Sequence, residues 1–402
     1  TFLTMAYILA VNPNIFSSLA SQGMDTHAVF TATVLAAVVG TLIMAIYAKK
    51  PFGLAPGMGL NAFFAYTVCG NMGYPWQVAL LAVFVEGIVF IVLSLTNVRE
   101  ALFNVIPLSL KKAVSVGIGV YIAFIGLQNA GVVVNSDSTL VTVVSFTDNF
   151  RTGGICALLA IIGTLFTAFL YIKRVKGSIL IGILATWVLG ILCQLTGLYV
   201  VDPEAGYNSL LPAFSMTDFS ALGDTFGQCF KFNFDGVSIV NFIVVIFSFL
   251  FVDIFDTLGT LIGVCNKGNM LDKDGKLPQI KPALMADAVA TSAGAILGTS
   301  TTTTFVESAS GVAVGGRTGL TALVTGILFL VSTLFAPIFT AIPSFATAPA
   351  LIMVGFLMVG TVTEINFDLD NLTESIPAYL AIIAMPLFYS ISEGISLGVI
   401  SY

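Results

Sequence analysis

Charge is scarce in this sequence. Only 9% of its 402 residues are Asp, Glu, Lys or Arg, whereas a soluble domain has about 25%. Hydrophobic residues make up 57% of the chain, and the mean hydropathy is +1.02. A water-soluble protein of this size needs more charge to cover its surface. The composition excludes a cytosolic enzyme, a nucleic-acid binder, a disordered chain and a secreted disulfide scaffold, and it predicts a polytopic helical membrane protein.

Histidine and regularly spaced cysteine are also missing. His27 is the only histidine and falls in a predicted loop, which argues against histidine catalysis and a histidine-ligated metal. The 5 cysteines show no metal-ligand spacing, so we interpret them as apolar filler. We expect no metal and no cofactor. The chain begins at Thr1 inside a predicted helix and ends at Tyr402 inside a short apolar run, so we expect both termini to be trimmed.

Apolar runs near spanning length recur along the chain and predict an all-α membrane protein with about fourteen spans. The first seven runs fall at about 1–20, 27–48, 53–72, 75–97, 113–131, 153–172 and 178–197. The second seven fall at about 237–263, 282–297, 299–315, 317–336, 345–360, 376–390 and 392–402. The polar segment 198–236 is expected to carry a surface helix, and segment 98–112 is expected to lie at the membrane interface.

The distribution of Lys and Arg predicts the orientation. If the first span starts in the cytoplasm, 13 of the 15 Lys and Arg residues fall in cytoplasmic loops, and only Arg151 and Lys231 fall outside. This is a strong positive-inside bias. We therefore expect a multi-pass protein of the cell membrane, with both termini in the cytoplasm.

The two halves of the chain show weak self-similarity. Residues 32–40 and 286–294 share Ala32/Ala286, Ala36/Ala290 and Gly40/Gly294, and each stretch lies in the second span of its half. A half of seven spans has an odd number of crossings, so the two halves must have opposite orientations. Inverted repeats of this kind are a transporter architecture.

A helix-poor segment follows the second span in each half. Residues 53–59 contain three glycines and one proline, and residues 299–304 are five threonines and one serine. Neither composition favours a helix, although each run then turns helical. Non-helical backbone at membrane depth is tolerated only inside protein or beside a water-filled cavity. We predict that spans 3 and 10 are short extended segments leading into half-helices, and that they meet at a substrate site.

Three acidic residues are predicted at membrane depth. Asp253 and Asp256 share one face of the eighth span, and Glu307 lies beside the second helix-poor segment. Each such carboxylate costs about 2.5–3.5 kcal/mol on insertion scales. Burial and mutual repulsion favour protonation of at least one of them, which could couple transport to a proton gradient. A structural carboxylic acid bonded to backbone, or a sodium ligand, remains an alternative.

Four further residues are weaker candidates. Glu86 falls in the middle of a span and is interpreted as either structural or coupling, whereas Asp287 is expected to be a solvated or capping acid near a span end. Phe63 and Phe305 lie in the two helix-poor segments and could sandwich a flat ring, although simple packing is also expected of a phenylalanine.

Three stretches of this sequence resemble one known family. They are 55–64 (Ala-Pro-Gly-Met-Gly-Leu-Asn-Ala-Phe-Phe), 251–260 (Phe-Val-Asp-Ile-Phe-Asp-Thr-Leu-Gly-Thr), and 302–312 followed by 315–322. Together they resemble the AzgA-like purine permeases, a branch of the nucleobase–ascorbate transporter superfamily. The resemblance covers essentially the whole chain.

The resemblance implies a core domain (1–97 and 237–336), a gate domain (98–236 and 337–402, the last span truncated), and a homodimer joined through the gate domains. It implies import of adenine, guanine or hypoxanthine with a proton. Carried over by motif, Asn61, Asp253 and Glu307 contact the base. Asp256, with Asp253 and Glu307, supports proton coupling. Thr257 stands near where uracil-type relatives carry a histidine, which disfavours uracil.

Three other functions compete with purine transport. An anion exchanger on the same architecture would prefer a basic residue at the depth of the acids, and none is predicted there. An intramembrane aspartyl protease would need a Gly-x-Gly-Asp tetrapeptide, which the sequence lacks. A passive channel would not need titratable acids beside broken helices. The preferred purine, and protons against sodium, stay open.

Overall fold

The structure is a computed structural model that describes residues 1–96, 107–202, 206–212, 219–234, 236–268, 270, 280–365, 367 and 371–402. Within these ranges, 10 helices are long and apolar enough to cross a membrane. Numbered by span, they are span 1 (Phe2–Gln22), span 2 (Thr26–Ala48), span 4 (Trp76–Leu95), span 5 (Ser109–Asn129), span 6 (Phe150–Ile172), span 7 (Ser178–Leu195), span 8 (Ile239–Thr257, in a helix that continues to Lys267), span 9 (Ile280–Leu297), span 11 (Gly319–Thr340) and span 12 (Ser344–Glu364).

The remaining predicted spans are shorter or broken. Spans 13 and 14 are the apolar helices Leu372–Leu387 and Ile391–Ser401. Span 3 begins as strand β1 (Leu54–Pro56) and continues as a half-helix, Met58–Ala62, and a π-helical stretch, Phe63–Asn71. Span 10 comprises strand β4 (Thr302–Thr304) and the short helix Ser308–Ala313. The prediction of about fourteen spans, with extended segments in spans 3 and 10, is confirmed.

One loop differs from expectation. Segment 132–144 contains an antiparallel hairpin of β2 (Val133–Ser136), which is mostly half-buried, and β3 (Leu140–Val143), which is exposed, whereas no strand is predicted there from the sequence. The described part of 198–236 contains two short 3-10 helices, Phe219–Asp224 and Gln228–Phe230, and part of this segment lies outside the described residues, so the surface helix stays a prediction. The predicted interfacial segment 98–112 lies outside the described residues except for its end, which begins span 5.

Strands β1 and β4 cross at the centre of the molecule as an antiparallel pair. Leu54 lies opposite Thr304, and Pro56 lies opposite Thr302, with all these residues buried. The Phe305 N–H donates to Gly53 O at 3.0 Å and the Gly57 N–H donates to Thr301 O at 3.0 Å, which extends the pairing at both ends. Each segment thereby satisfies the backbone polar groups that the other leaves unpaired away from water.

The paired glycines of the repeat make room for this crossing. A Cβ atom at Gly40 would lie 3.1 Å from the Cβ atom of Leu54, the first residue of β1, and 2.7 Å from the Cβ atom of Ala290. A Cβ atom at Gly294 would lie 2.8 Å from Thr302 Oγ1 in β4. Each glycine therefore faces the strand of its own half, as expected of two equivalent positions in inverted repeats.

Helix packing falls into two groups around this centre. Span 9 packs against spans 2 and 4, span 11 packs against span 2, and span 8 packs against span 4, which together make one group. Spans 5, 6, 7 and 12 form a second group, and span 13 joins it through spans 5 and 14. The crossing strands contact spans 2, 8 and 9, so the first group positions them.

Candidate functional site

A cavity of about 210 Å³ lies beside the crossing strands. Residues of spans 1, 3, 8 and 10 supply one part of its wall, and residues of spans 5 and 12 supply the other part. Two acids, Asp256 and Glu307, reach the cavity, and among the described residues its lining contains no Lys, Arg or His. The described lining residues are Tyr7, Gly57, Met58, Gly59, Ser115, Ile118, Ile122, Phe255, Asp256, Thr260, Thr304, Phe305, Val306, Glu307, Val354, Leu357, Met358 and Thr361.

Glu307 is held by a tyrosine of span 1. The Tyr7 hydroxyl donates to Glu307 Oε1 at 2.5 Å, and the Tyr7 ring lies 6.4 Å from the Phe305 ring. Tyr7 is not predicted from the sequence, because 300 residues separate it from Glu307 and a tyrosine in an apolar helix carries no local signal of a site. The bond occupies one carboxylate oxygen of a side chain that lines the cavity.

The two acids of span 8 occupy different positions relative to the cavity. Asp256 lines it, and a Cβ atom at Gly57 would lie 3.4 Å from Asp256 Oδ2. Asp253 is fully buried and is absent from the described lining. Asp253 Oδ1 accepts from the Thr257 hydroxyl at 2.7 Å, and Thr257 lies 2.7 Å from Thr303 Oγ1. Asp253 is therefore linked to strand β4 from behind, whereas Asp256 faces the space where a ligand would lie.

Asn61 and Phe63, predicted to contact the substrate, lie in the half-helix of span 3 and at the start of its π-helical stretch, and neither is among the described lining residues. Asn61 donates to Pro56 O at 3.3 Å and accepts from the Ser300 hydroxyl, which joins span 3 to the segment before β4. Phe63 is fully buried and packs edge-to-face against Phe249, with ring centroids 4.9 Å apart. Of the two predicted aromatic partners, only Phe305 lines the cavity.

The weaker acidic candidates both hold the threonine-rich segment. Thr301 Oγ1 donates to Glu86 Oε2 at 2.9 Å, and Thr304 Oγ1 donates to Asp287 Oδ1 at 2.9 Å. Both acids are fully buried. The expectation that Asp287 is a solvated or capping acid is therefore wrong, because its carboxylate points into the protein and accepts from β4. With Asp253 behind Thr303, three carboxylates from three spans support the threonine-rich segment 301–304.

The sequence of this chain matches the model of a known protein family. The sequence model of the Permease family (Xan_ur_permease) matches residues 1–396. The chain belongs to this permease family. It is therefore a membrane transport protein and not an enzyme.

Curated relatives cover the whole of this permease. The guanine/hypoxanthine permease PbuO of Bacillus subtilis is 44% identical over 100% of this chain and 88% of its own length. The adenine permease AdeP of Escherichia coli is 41% identical over 100% of this chain and 84% of its own length. The resemblance to purine permeases that the three sequence stretches carry is thus confirmed.

Solved structures share the fold of this permease at low sequence identity. The transmembrane domain of the cyanobacterial bicarbonate transporter BicA superimposes with a TM-score of 0.66 at 14% identity, covering 99% of this chain and 96% of that domain. Murine Slc26a9, an anion transporter in an inward-facing state, gives a TM-score of 0.60 at 9% identity. At such identities the likeness concerns the fold alone.

Proposed function

We propose that this permease imports purine nucleobases together with protons. The observation that carries the proposal is a cavity lined by two carboxylates and three aromatic side chains, with no basic residue in its described lining. A purine base is flat, neutral and rich in N–H donors, which carboxylates accept and aromatic faces cover. The names of the relatives as guanine/hypoxanthine and adenine permeases support the same substrate class.

In this proposal each acid has a different role, which follows from its position relative to the cavity. Glu307, whose Oε1 is occupied by Tyr7, offers its second oxygen to a ring or exocyclic N–H. Asp256, which lines the cavity beside Gly57, is the group that gains and releases the coupling proton. Asp253, Asn61 and Phe63 act behind the wall, by holding β4 and the half-helix in place. Phe305 covers one face of the base.

The transport cycle we propose is alternating access. The core domain (1–97 and 237–336) would carry the base past the gate domain (98–236 and 337–402). The wall formed by spans 5 and 12 is mostly apolar, through Ile118, Ile122, Val354 and Leu357, and offers few polar groups to hold a base during such a movement. We also propose that the protein is a homodimer joined through the gate domains. It lies in the cell membrane with both termini in the cytoplasm.

Uptake in a host that lacks its own purine transporters tests this function. We expect cells that make the protein to accumulate labelled adenine, guanine or hypoxanthine, and a proton uncoupler to abolish accumulation. Replacing sodium by choline in the medium should leave uptake unchanged. Accumulation that survives the uncoupler but requires sodium would refute proton coupling, and failure to take up any purine would refute the substrate class.

A further inference from the structure

Glu86 is an acid in the middle of the membrane that has no contact with the cavity in the described residues. It lies ten positions into span 4 (Trp76–Leu95), is fully buried, and accepts a hydrogen bond from Thr301 Oγ1 at 2.9 Å. Span 4 contributes no residue to the described cavity lining. A carboxylate at this depth is costly to insert into a membrane, and the observed bond joins it to Thr301, beside the strand crossing.

Thr301 connects Glu86 to the cavity wall in one step. The Thr301 carbonyl accepts from the Gly57 N–H at 3.0 Å, and Gly57 begins the half-helix that lines the cavity with Met58 and Gly59. Immediately after Thr301, β4 pairs with β1 residue by residue. A displacement of Thr301 would therefore shift the half-helix of span 3 and the strand that leads to Phe305 and Glu307.

The backbone that carries Glu86 is itself fixed. A Cβ atom at the next residue, Gly87, would lie 2.3 Å from Ser292 Oγ and 2.8 Å from Ser292 N, so span 4 lies directly against span 9 at this level. Close contact of this kind prevents a slide of span 4 along span 9. Glu86 is thus a fixed acceptor toward which Thr301 must orient.

We infer that Glu86 is a positioning residue of the substrate site, acting through Thr301 on Gly57 and β4. The inference rests on the proposed function, because its readout is purine binding. A positioning role requires Glu86 to accept a hydrogen bond but not to exchange a proton. The amide oxygen of a glutamine at this position should therefore be able to do the same work. A proton-coupling role would not survive that substitution, so Glu86→Gln distinguishes the two roles.

Four variants of the full-length protein test the inference by equilibrium binding of labelled guanine, hypoxanthine and adenine in detergent. Thr301→Val removes the donor, and Glu86→Leu removes the acceptor. The double variant Glu86→Leu/Thr301→Val replaces the polar pair by an apolar pair, which is the change least damaging to folding. Glu86→Gln keeps an acceptor oxygen. Thr325→Val is the matched control, because the Thr325 hydroxyl bonds within its own helix to Thr321 O at 2.8 Å.

We expect the double variant to unfold at nearly the wild-type temperature but to bind its purine at least tenfold more weakly. Thr301→Val should lose a similar factor, Glu86→Gln should recover most of the affinity, and Thr325→Val should stay within twofold. Wild-type affinity in the folded double variant would overturn the inference. So would a loss in Glu86→Gln as large as in Glu86→Leu, since that result would assign Glu86 to charge or proton transfer. Failure of the wild-type protein to bind any purine would instead refute the proposed function.

Discussion

Glu307→Gln changes only one atom of the side chain that we assign to substrate binding. The Tyr7 hydroxyl donates to Glu307 Oε1 at 2.5 Å. In glutamine the amide oxygen can keep this bond, but the second position becomes an NH₂ group that faces the N–H of the base. A charge-assisted hydrogen bond is then replaced by two opposed donors, at a cost of about 1.5–3 kcal/mol. Since 1.4 kcal/mol corresponds to a factor of ten, the Kd should rise about 10- to 150-fold.

The assay is equilibrium binding of labelled guanine, hypoxanthine or adenine to purified protein. Size-exclusion chromatography and the thermal unfolding temperature should show that the variant is folded. Glu393→Gln is the matched control, because Glu393 is exposed near the start of span 14, and we expect its Kd to stay within twofold of wild type. A Kd for Glu307→Gln within threefold of the wild-type value would show that Glu307 does not accept from the base.

Three further predictions concern the cavity wall. Asp256→Asn mimics a permanently protonated acid, so proteoliposomes should retain purine counterflow but lose accumulation driven by a pH gradient; normal accumulation would rule out its coupling role. Asp253→Asn should weaken binding less than Glu307→Gln, because Asp253 bonds to Thr257 behind the wall; an equal loss would place Asp253 in contact with the base. Gly57→Ala would bring a Cβ atom to 2.9 Å from Thr303 Cγ2, so uptake should fall at least tenfold at equal membrane levels; wild-type uptake would show that the crossing tolerates a shift.

The fold could be predicted from the sequence because its causes are local. Each long span is an apolar run with polar ends, and the bilayer makes such runs helical. The two interruptions were also visible, since glycine and proline at 53–59 and threonine at 299–304 disfavour a helix wherever they stand. Gly40 and Gly294 fit the same picture, because a missing side chain beside each strand is a local requirement. The hairpin at 133–143 is not predicted, because the polar residues of its turn are equally typical of an irregular loop.

The arrangement of the site could be predicted only in part, because it depends on helix rotation and on distant contacts. Asp253 and Asp256 are separated by about 60° around the helix axis, and only packing decides which of them reaches the cavity. Tyr7 meets Glu307 across most of the chain, and Glu86 meets Thr301 across 215 positions. Acidity at membrane depth pointed to acids that the structure places in or behind the cavity lining, whereas their partners required the three-dimensional structure.

The acids of the cavity favour a neutral base over an anion as cargo, which agrees with the proposed function. The shared fold with the BicA domain, at 14% identity, supplies the frame of crossing strands and says nothing of the cargo. Within the described lining, the ionisable carboxylates Asp256 and Glu307 have no basic neighbour. An anion placed 4 Å from one ionised carboxylate would be repelled by about 4 kcal/mol at an effective dielectric constant of 20, whereas a neutral base would donate its N–H groups to the same oxygens. Bicarbonate and sulfate should therefore fail to compete with purine uptake even in large excess, and competition by either anion would contradict this account of selectivity.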